Sequence, residues 1–370
     1  MSKPPFRADH VGSLLRPAYL IEARNKHALG TIDAAALRAI EDRAISEVVQ
    51  LQESAGLKAI TDGEFRRAHW LVDFLTGFEG IAATKSDYTI TFKGKGGETA
   101  TTSSMMVVNG PVRHRQPIMV DHFAYLKSVV KQTPKLCIPS PTYMHMRGGR
   151  KVVDQTAYPD MAGFWNDITD AYRTEIDALI AAGCTYLQLD DVSFANLCDE
   201  SICNQIAQDG ENPRKLPELY AQIINRIVSD RPKNLDVTIH TCRGNHASMW
   251  MAEGGYEPVA DALFNITDVN GFFLEYDTER AGDFAPLRFV PKGKRVVLGL
   301  ISSKEPGLES KDDLKRRIDE AARYMPLDQI CISPQCGFAS TAQGNKITQE
   351  IEKRKLELAV EVAHEVWGDA

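Results

Sequence analysis

Eight short apolar stretches recur along the chain, and helical patterns fall between them. The apolar stretches lie at residues 7–10, 58–61, 135–138, 185–189, 236–241, 271–275, 295–300 and 328–332. The clearest helical patterns cover 34–54, 159–182, 216–229, 311–324 and 349–367. Short buried strands separated by helices read as a parallel sheet, because a parallel strand is covered on both faces and returns through a crossover. Eight is the number that closes a (β/α)8 TIM barrel, and that α/β fold is expected here. The alternative is an open doubly wound sheet. It usually carries a glycine-rich phosphate loop after its first strand, and "HVGSLLRP" holds a single glycine. Two helix ends are well marked. Gly183 supplies the left-handed residue that closes a helix, and Ser310-Lys-Asp-Asp313 opens one with acids facing its positive end.

One segment breaks the alternation. Residues 86–115 read SDYTITFKGKGGETATTSSMMVVNGPVRHR, rich in Thr and Val, with turn signals at Gly94-Lys-Gly-Gly97 and Asn109-Gly-Pro111. This predicts a β-hairpin inserted between the second and third barrel strands, too short for a second domain. A partial lid, an oligomer contact or a surface decoration would each use such a hairpin. The expected organisation is one catalytic barrel over residues 1–370, a length that α/β barrels reach as one unit.

Composition excludes several roles. A net charge of −7 gives no support for nucleic-acid binding. No run of about 18 apolar residues exists, so no membrane span is expected. The opening MSKPPFRADH has no apolar core and is expected not to be a signal peptide. Seven cysteines, an odd count without disulfide-like spacing, point to a reduced, cytoplasmic compartment. The oligomeric state stays open, a homo-oligomer included.

In a barrel, reactive groups stand where strands end and βα loops begin. In chain order those ends carry His10-Val-Gly-Ser13, Asp62-Gly-Glu64, Ser140-Pro-Thr142, Asp190-Asp191, His240-Thr-Cys242, Glu275-Tyr-Asp277, Ser302-Ser-Lys304 and Ser333-Pro-Gln-Cys336. Four of these residues, His240, Cys242, Glu275 and Cys336, suit one Zn2+, which accepts nitrogen, thiolate and carboxylate in a tetrahedron. Their local spacing is not diagnostic, since a strand-end cysteine is often only a small buried residue, as Cys331 inside its strand illustrates. Two thiolates and a carboxylate make an electron-rich zinc, a poor generator of hydroxide and a good site for capturing a substrate thiol as thiolate. That favours thiol alkyl transfer over hydrolysis. Glu64 and Asp190 suit an ammonium group, and the backbone and hydroxyl of Val11, Gly12 and Ser13 suit a carboxylate. The bland readings are that Glu64 pairs with a nearby arginine and Asp190 caps a helix. His27, His114, His122 and His364 are expected at the surface. His10, His69, His145 and His246 stand near strand ends, and none is assigned as the proton donor. Trp70, Trp165 and Trp250 are read either as lining the mouth or as packing.

In order, "HVGSLLRP", "DGEFRR", "LQLDD", "IHTCRGN", "FFLEYD" and "SPQCGF" resemble the cobalamin-independent methionine synthase family, in its stand-alone catalytic-barrel form. The resemblance spans nearly the whole chain. It implies a (β/α)8 fold, zinc on His240, Cys242, Glu275 and Cys336, and homocysteine held by Val11, Gly12, Ser13, Glu64 and Asp190. It also implies a methyltetrahydrofolate as methyl donor, and the chain departs from the family on that side. "DEP" reads Asp190-Asp-Val192, the acid near the pterin reads Asn196, the folate-side tryptophan falls near Met146, and the proton-donating histidine falls near Ser302. The expected activity is a zinc-dependent methyl transfer to homocysteine or a similar small thiol. The alternatives are an epoxide–thiol transferase type of alkyl transfer, or a zinc- and thiol-binding module without turnover.

Overall fold

Six strands of a computed structural model run parallel in one unbroken order, and three shorter pieces extend them towards closure. The structure describes residues 3–370, with the side chains of residues 86–88 and 103 excepted, so the first residues of the opening segment and the side chains that begin the expected hairpin lie outside the described residues. The strands are β1 (Ala59–Ile60), β2 (Glu79–Lys93), β3 (Thr99–Arg113), β4 (Thr133–Pro134), β5 (Leu136–Pro139), β6 (Tyr186–Asp191), β7 (Asp236–Thr241), β8 (Gly271–Glu275), β9 (Arg295–Ile301) and β10 (Ile330–Pro334). β5 to β10 pair in chain order, each parallel to the next. β4 continues β5 across Lys135 and pairs with β1, and the Lys135 N–H still donates to Ile60 O at 2.8 Å.

The first expected strand, 7–10, is shorter than its apolar pattern. It makes one bridge, Ala8 with Ile332 of β10, through Asp9 N–H to Ile332 O (3.1 Å) and Ile332 N–H to Arg7 O (2.8 Å). Side chains complete the seam to β1. Thr61 Oγ1 donates to Gly12 O (2.6 Å), and His10 Nε2 lies 3.1 Å from Ala59 O. Eight strand positions therefore form the ring of a (β/α)8 barrel. Inside it, Lys135 and Asp9 are fully buried at 3.0 Å. The ammonium also donates to His10 O (2.5 Å), and the Tyr186 hydroxyl donates to Asp9 Oδ2 (2.8 Å). These extra bonds are what a buried pair needs to offset its desolvation.

Helices cover the outside, each started by local chemistry. The carboxylates of Asp33 and Asp160 accept from Ala36 N and Gly163 N, capping Ala34–Ser54 and Met161–Ala181. Gly183, at φ 91°, closes the second as expected, its N–H donating to Ile180 O at 2.8 Å. Ser310 stands at the N-cap of Lys311–Ala321 without a side-chain capping bond, and Asp312 and Asp313 fill its first turn. Between β7 and β8 the crossover is a π turn, Asp261–Ile266, and between β8 and β9 it is 3-10 turns only. Among the described residues no helix is long and apolar enough to cross a membrane.

The inserted hairpin is longer at its base than 86–115 implied. β2 and β3 are antiparallel over Glu79–Lys93 and Thr99–Arg113. Two of the histidines expected at the surface are half-buried. His114 Nε2 lies 2.7 Å from the buried Glu175 Oε2. The His122 Nδ1 is buried without a partner, and burial pushes its pKa down to about 4. His27 and His364 are exposed.

Candidate metal centre and substrate cavity

His240 is the next-to-last residue of β7, Cys242 follows that strand directly, Glu275 ends β8, and Cys336 stands two residues past β10. Their donor atoms lie within 4.8 Å of one another. Barrel closure is what brings β10 within reach of β7. The two sulfurs stand 3.4 Å apart as free thiols. Thiolates sharing one tetrahedral zinc stand about 3.8 Å apart, given a Zn–S distance of about 2.3 Å. Neither ring nitrogen of the buried His240 makes a well-formed hydrogen bond among the described residues, and the ring lies against the Cys336 thiol, which raises its pKa despite burial. An imidazole, two thiols and a carboxylate make a donor set that fits zinc. The contact with Cys242 and the His240 ring hold the Cys336 thiol well below its ordinary range despite burial, while the contact with Cys336 and burial push Cys242 up.

Other groups orient these donors. Arg243 N–H donates to Glu275 Oε1 (2.8 Å) and Arg280 Nη2 to Glu275 Oε2 (3.3 Å), so the carboxylate is gripped from both sides. Gly244 N–H points at Cys242 Sγ (3.3 Å). Gly244 has φ 91°, and a Cβ there would meet the Met251 Cβ at 2.9 Å, so this turn requires glycine.

A second buried group adjoins the first. Glu64, Cys137 and Asp190 also bring their donor atoms within 4.8 Å. This group suits an ammonium better than a metal. A cation is already present, with Arg67 Nη1 3.7 Å from Glu64 Oε2. Cys137 is not a thiolate, because it donates to Val11 O (3.1 Å) and burial raises it well above its ordinary range. Burial likewise pushes Glu64 up to about 7 and Asp190 up to about 6. Gln188 Nε2 donates to Asp190 Oδ1 at 2.7 Å and fixes its direction. Gly12 lies beside this group, since a Cβ there would stand 3.7 Å from Glu64 Oε1, and the N–H groups of Gly12 and Ser13 have no protein acceptor among the described residues. Neither bland reading is the full account. Glu64 does face Arg67, yet its Oε2 makes no hydrogen bond, and it is Asp191 whose carboxylate accepts from Phe194 N.

Both groups open on one cavity of about 220 Å³. Val11, Ser13, Glu64 and Asp190 line its floor with His240, Cys242 and Cys336, while Gly12 lies behind, with its carbonyl taken by Thr61. The hairpin forms much of the roof through Ile90, Phe92, Met105 and Met106. It is tied down by a bridge between Lys93 and Trp250 (2.7 and 3.0 Å) and by Phe92 against the His246 ring, centroids 5.2 Å apart. Trp70 lines the cavity, whereas Trp165 packs in the core against Phe164 and Trp250 sits beside Arg280. His69 and His246 reach the cavity. His145 instead bonds Tyr220 (3.0 Å), and His10 lies under the floor. Sequence reasoning passed over Tyr143, Arg147 and Met251, which also line it. The signal for the first two was the mixed stretch "YMHMRGGR" directly after the third strand. Two of the departing positions touch, with Asn196 Nδ2 3.1 Å from Met146 Sδ.

The family model described as "Cobalamin-independent synthase, Catalytic domain" matches residues 6–365. The chain is 44% identical to the uncharacterized protein YxjG of Bacillus subtilis (strain 168), over 99% of this chain and 96% of that one. It is similar to a solved Listeria monocytogenes structure, provisionally assigned as a vitamin-B12 independent methionine synthase. That likeness has a TM-score of 0.78 and 35% identity, and covers 100% of both chains. A B12-independent methionine synthase from Shewanella sp. W3-18-1, solved with selenomethionine, shares the fold at TM-score 0.70 and 18% identity, covering 98% of this chain and 97% of that one. A family match across almost the whole chain, on a closed barrel with these strand ends, means that the chain belongs to the cobalamin-independent methionine synthase family of methyltransferases, as a form of its catalytic domain.

Proposed function

We propose that the protein methylates the sulfur of homocysteine, or of a closely similar small amino-acid thiol, at a zinc held by His240, Cys242, Glu275 and Cys336. The observation that carries this reading is the adjacency of two unlike sites on one cavity: a soft metal donor set and a carboxylate pair. Neighbouring strands stand about 4.8 Å apart. The four-bond span from nitrogen to sulfur in homocysteine is comparable, so one molecule reaches both sites. When bound, zinc supplies a Lewis acid that takes the substrate sulfur as thiolate at neutral pH. The chain's own residues do the rest. Glu64 and Asp190 hold the ammonium group, and the N–H and hydroxyl of Ser13, which lines the cavity, hold the carboxylate. The hairpin roof excludes water from the sulfur and the incoming methyl group. Arg280, bonded to Glu275 Oε2 at 3.3 Å, would hold the Glu275 carboxylate if a substrate sulfur took its place on the metal. The seven free thiols support a reduced, cytoplasmic setting.

The test is production of methionine from homocysteine by zinc-loaded protein across a panel of methyl donors, methyltetrahydrofolate among them. Calorimetry in buffers of different ionisation enthalpy should also read about one proton released per thiol bound. Homocysteine binding without proton release, or equal affinity for methionine, sinks the reading. The altered residues Asn196, Met146 and Ser302 favour one competing outcome, transfer of an alkyl group other than methyl to the same sulfur.

A further inference from the structure

We infer that Arg147 seats an anionic group, a carboxylate or phosphate, on the alkyl donor, so that the cavity roof selects donors with negative charge close to the transferable carbon. The inference rests on the thiol-alkylation reading and names the class of its second substrate.

Arg147 is the only lysine or arginine lining the cavity among the described residues. Its hydrogen-bond partners are neutral: Nη1 donates to the Tyr143 hydroxyl at 3.1 Å, and Nη2 lies 3.1 Å from Met251 Sδ. The guanidinium also stands 5.3 Å from the centre of the Tyr143 ring. A guanidinium offers five N–H groups, so most of its donors stay free for a ligand. No described carboxylate oxygen lies within 4.0 Å of it.

The other buried arginines around the barrel mouth are spoken for. Arg16 donates to the carbonyls of Ala339, Thr341, Glu64 and Arg67. Arg67 faces Glu64, and Arg280 faces Glu275 and Asp277. Arg243 lies over Tyr256, 4.6 Å from its ring centre, and does not line the cavity. Arg147 is thus the arginine that combines an uncommitted charge with access to substrate.

Glu64, Asp190 and the sulfur donors line the cavity together with Ile90, Phe92 and Met106 of the hairpin, and Arg147 meets none of those carboxylates, its hydrogen-bond contacts being Tyr143 and Met251. His69, also in the cavity, adds no second cation, because burial pushes its pKa down to about 4. A planar guanidinium between apolar walls binds a carboxylate or phosphate through paired charged hydrogen bonds, stronger there than in water. The acceptor's carboxylate takes the N–H and hydroxyl of Ser13. Arg147 is left for the other substrate.

Iodoacetate and iodoacetamide are nearly isosteric, lose the same iodide and differ in charge. With either, the homocysteine sulfur forms the new S–C bond, the C–I bond breaks, and iodide leaves with the electron pair. The two reagents compete for homocysteine bound to zinc-loaded protein, and mass spectrometry counts the released S-carboxymethyl and S-carbamoylmethyl products. Relative to free homocysteine in the same buffer, the protein should favour iodoacetate about tenfold. Arg147→Met should abolish that preference, and Arg147→Lys should keep part of it. Calorimetric affinity for homocysteine should be unchanged in Arg147→Met. No preference in the wild type, or the same preference in Arg147→Met, overturns the inference. A tenfold loss of homocysteine affinity in Arg147→Met also overturns it, because the guanidinium then holds the acceptor. Failure of the wild type to bind homocysteine removes the thiol reading and the donor assignment together, whereas binding without charge preference removes the donor assignment alone.

Discussion

Asp190 and His240 are register partners on the adjacent parallel strands β6 and β7. One faces the site that suits an ammonium group, the other the metal donor set, and the hydrogen-bond ladder fixes their separation. Asp190→Asn should raise the homocysteine dissociation constant about tenfold or more, since a charged hydrogen bond contributes roughly 1.5–3 kcal/mol. A simple alkanethiol should be little affected, and zinc content should not change. Equal weakening of both thiols would assign Asp190 to the metal shell or the fold.

Metal content separates structural from ligating cysteines. Cys242→Ser and Cys336→Ser should each lose most of the zinc on elemental analysis. Cys331→Ser should keep it, because Cys331 is buried within β10 beside Val11, Phe273 and Val297. Full zinc in either ligand mutant refutes the assigned set.

Arg280 bonds both Glu275 Oε2 (3.3 Å) and Asp277 Oδ1 (2.6 Å). If Glu275 yields its place to the substrate sulfur, the freed carboxylate needs that cation, since an unpaired buried charge is costly. Arg280→Met should therefore weaken homocysteine binding about tenfold with zinc retained, and Arg280→Lys should recover part of the loss. Unchanged homocysteine affinity in calorimetry would mean that Arg280 only packs against Trp250.

Glu352 predicts a pH dependence of stability away from the metal. It is buried on Gln349–Trp367, accepts from Leu15 N–H at 2.8 Å, and is pushed up to about 8 by burial. A carboxyl with a raised folded-state pKa keeps its proton when the unfolded chain has lost it. Stability then falls as pH rises from the ordinary glutamate value, 4.5, towards about 8. Glu352→Gln cannot ionise, so its melting temperature relative to wild type should rise between pH 5 and pH 8. A difference that stays flat across that range would show that Glu352 is ionised in the folded protein.

The parts legible in the sequence were those set by local period and by residue type. Alternation of apolar runs with helices specified eight strand positions, and the polar residues at or just past the ends of those runs offered the candidate metal donors and carboxylate pair before any distance was known. The hairpin showed itself by composition, because threonine- and valine-rich strands with glycine turns fit no barrel helix. What failed depended on distant partners. The first strand keeps one bridge because its remaining seam is made by side chains, Thr61 to Gly12 among them. His114 is drawn inward by Glu175, sixty-one residues away in the chain. Arg147 sits in a loop without periodicity, so nothing local marks it as facing the cavity. Above all, local pattern says that a residue ends a strand but not which strand ends converge. Closure of the ring decided that Cys336 meets Cys242 at 3.4 Å across ninety-four residues, because only a closed barrel bends its last strand back to the middle of its own sheet.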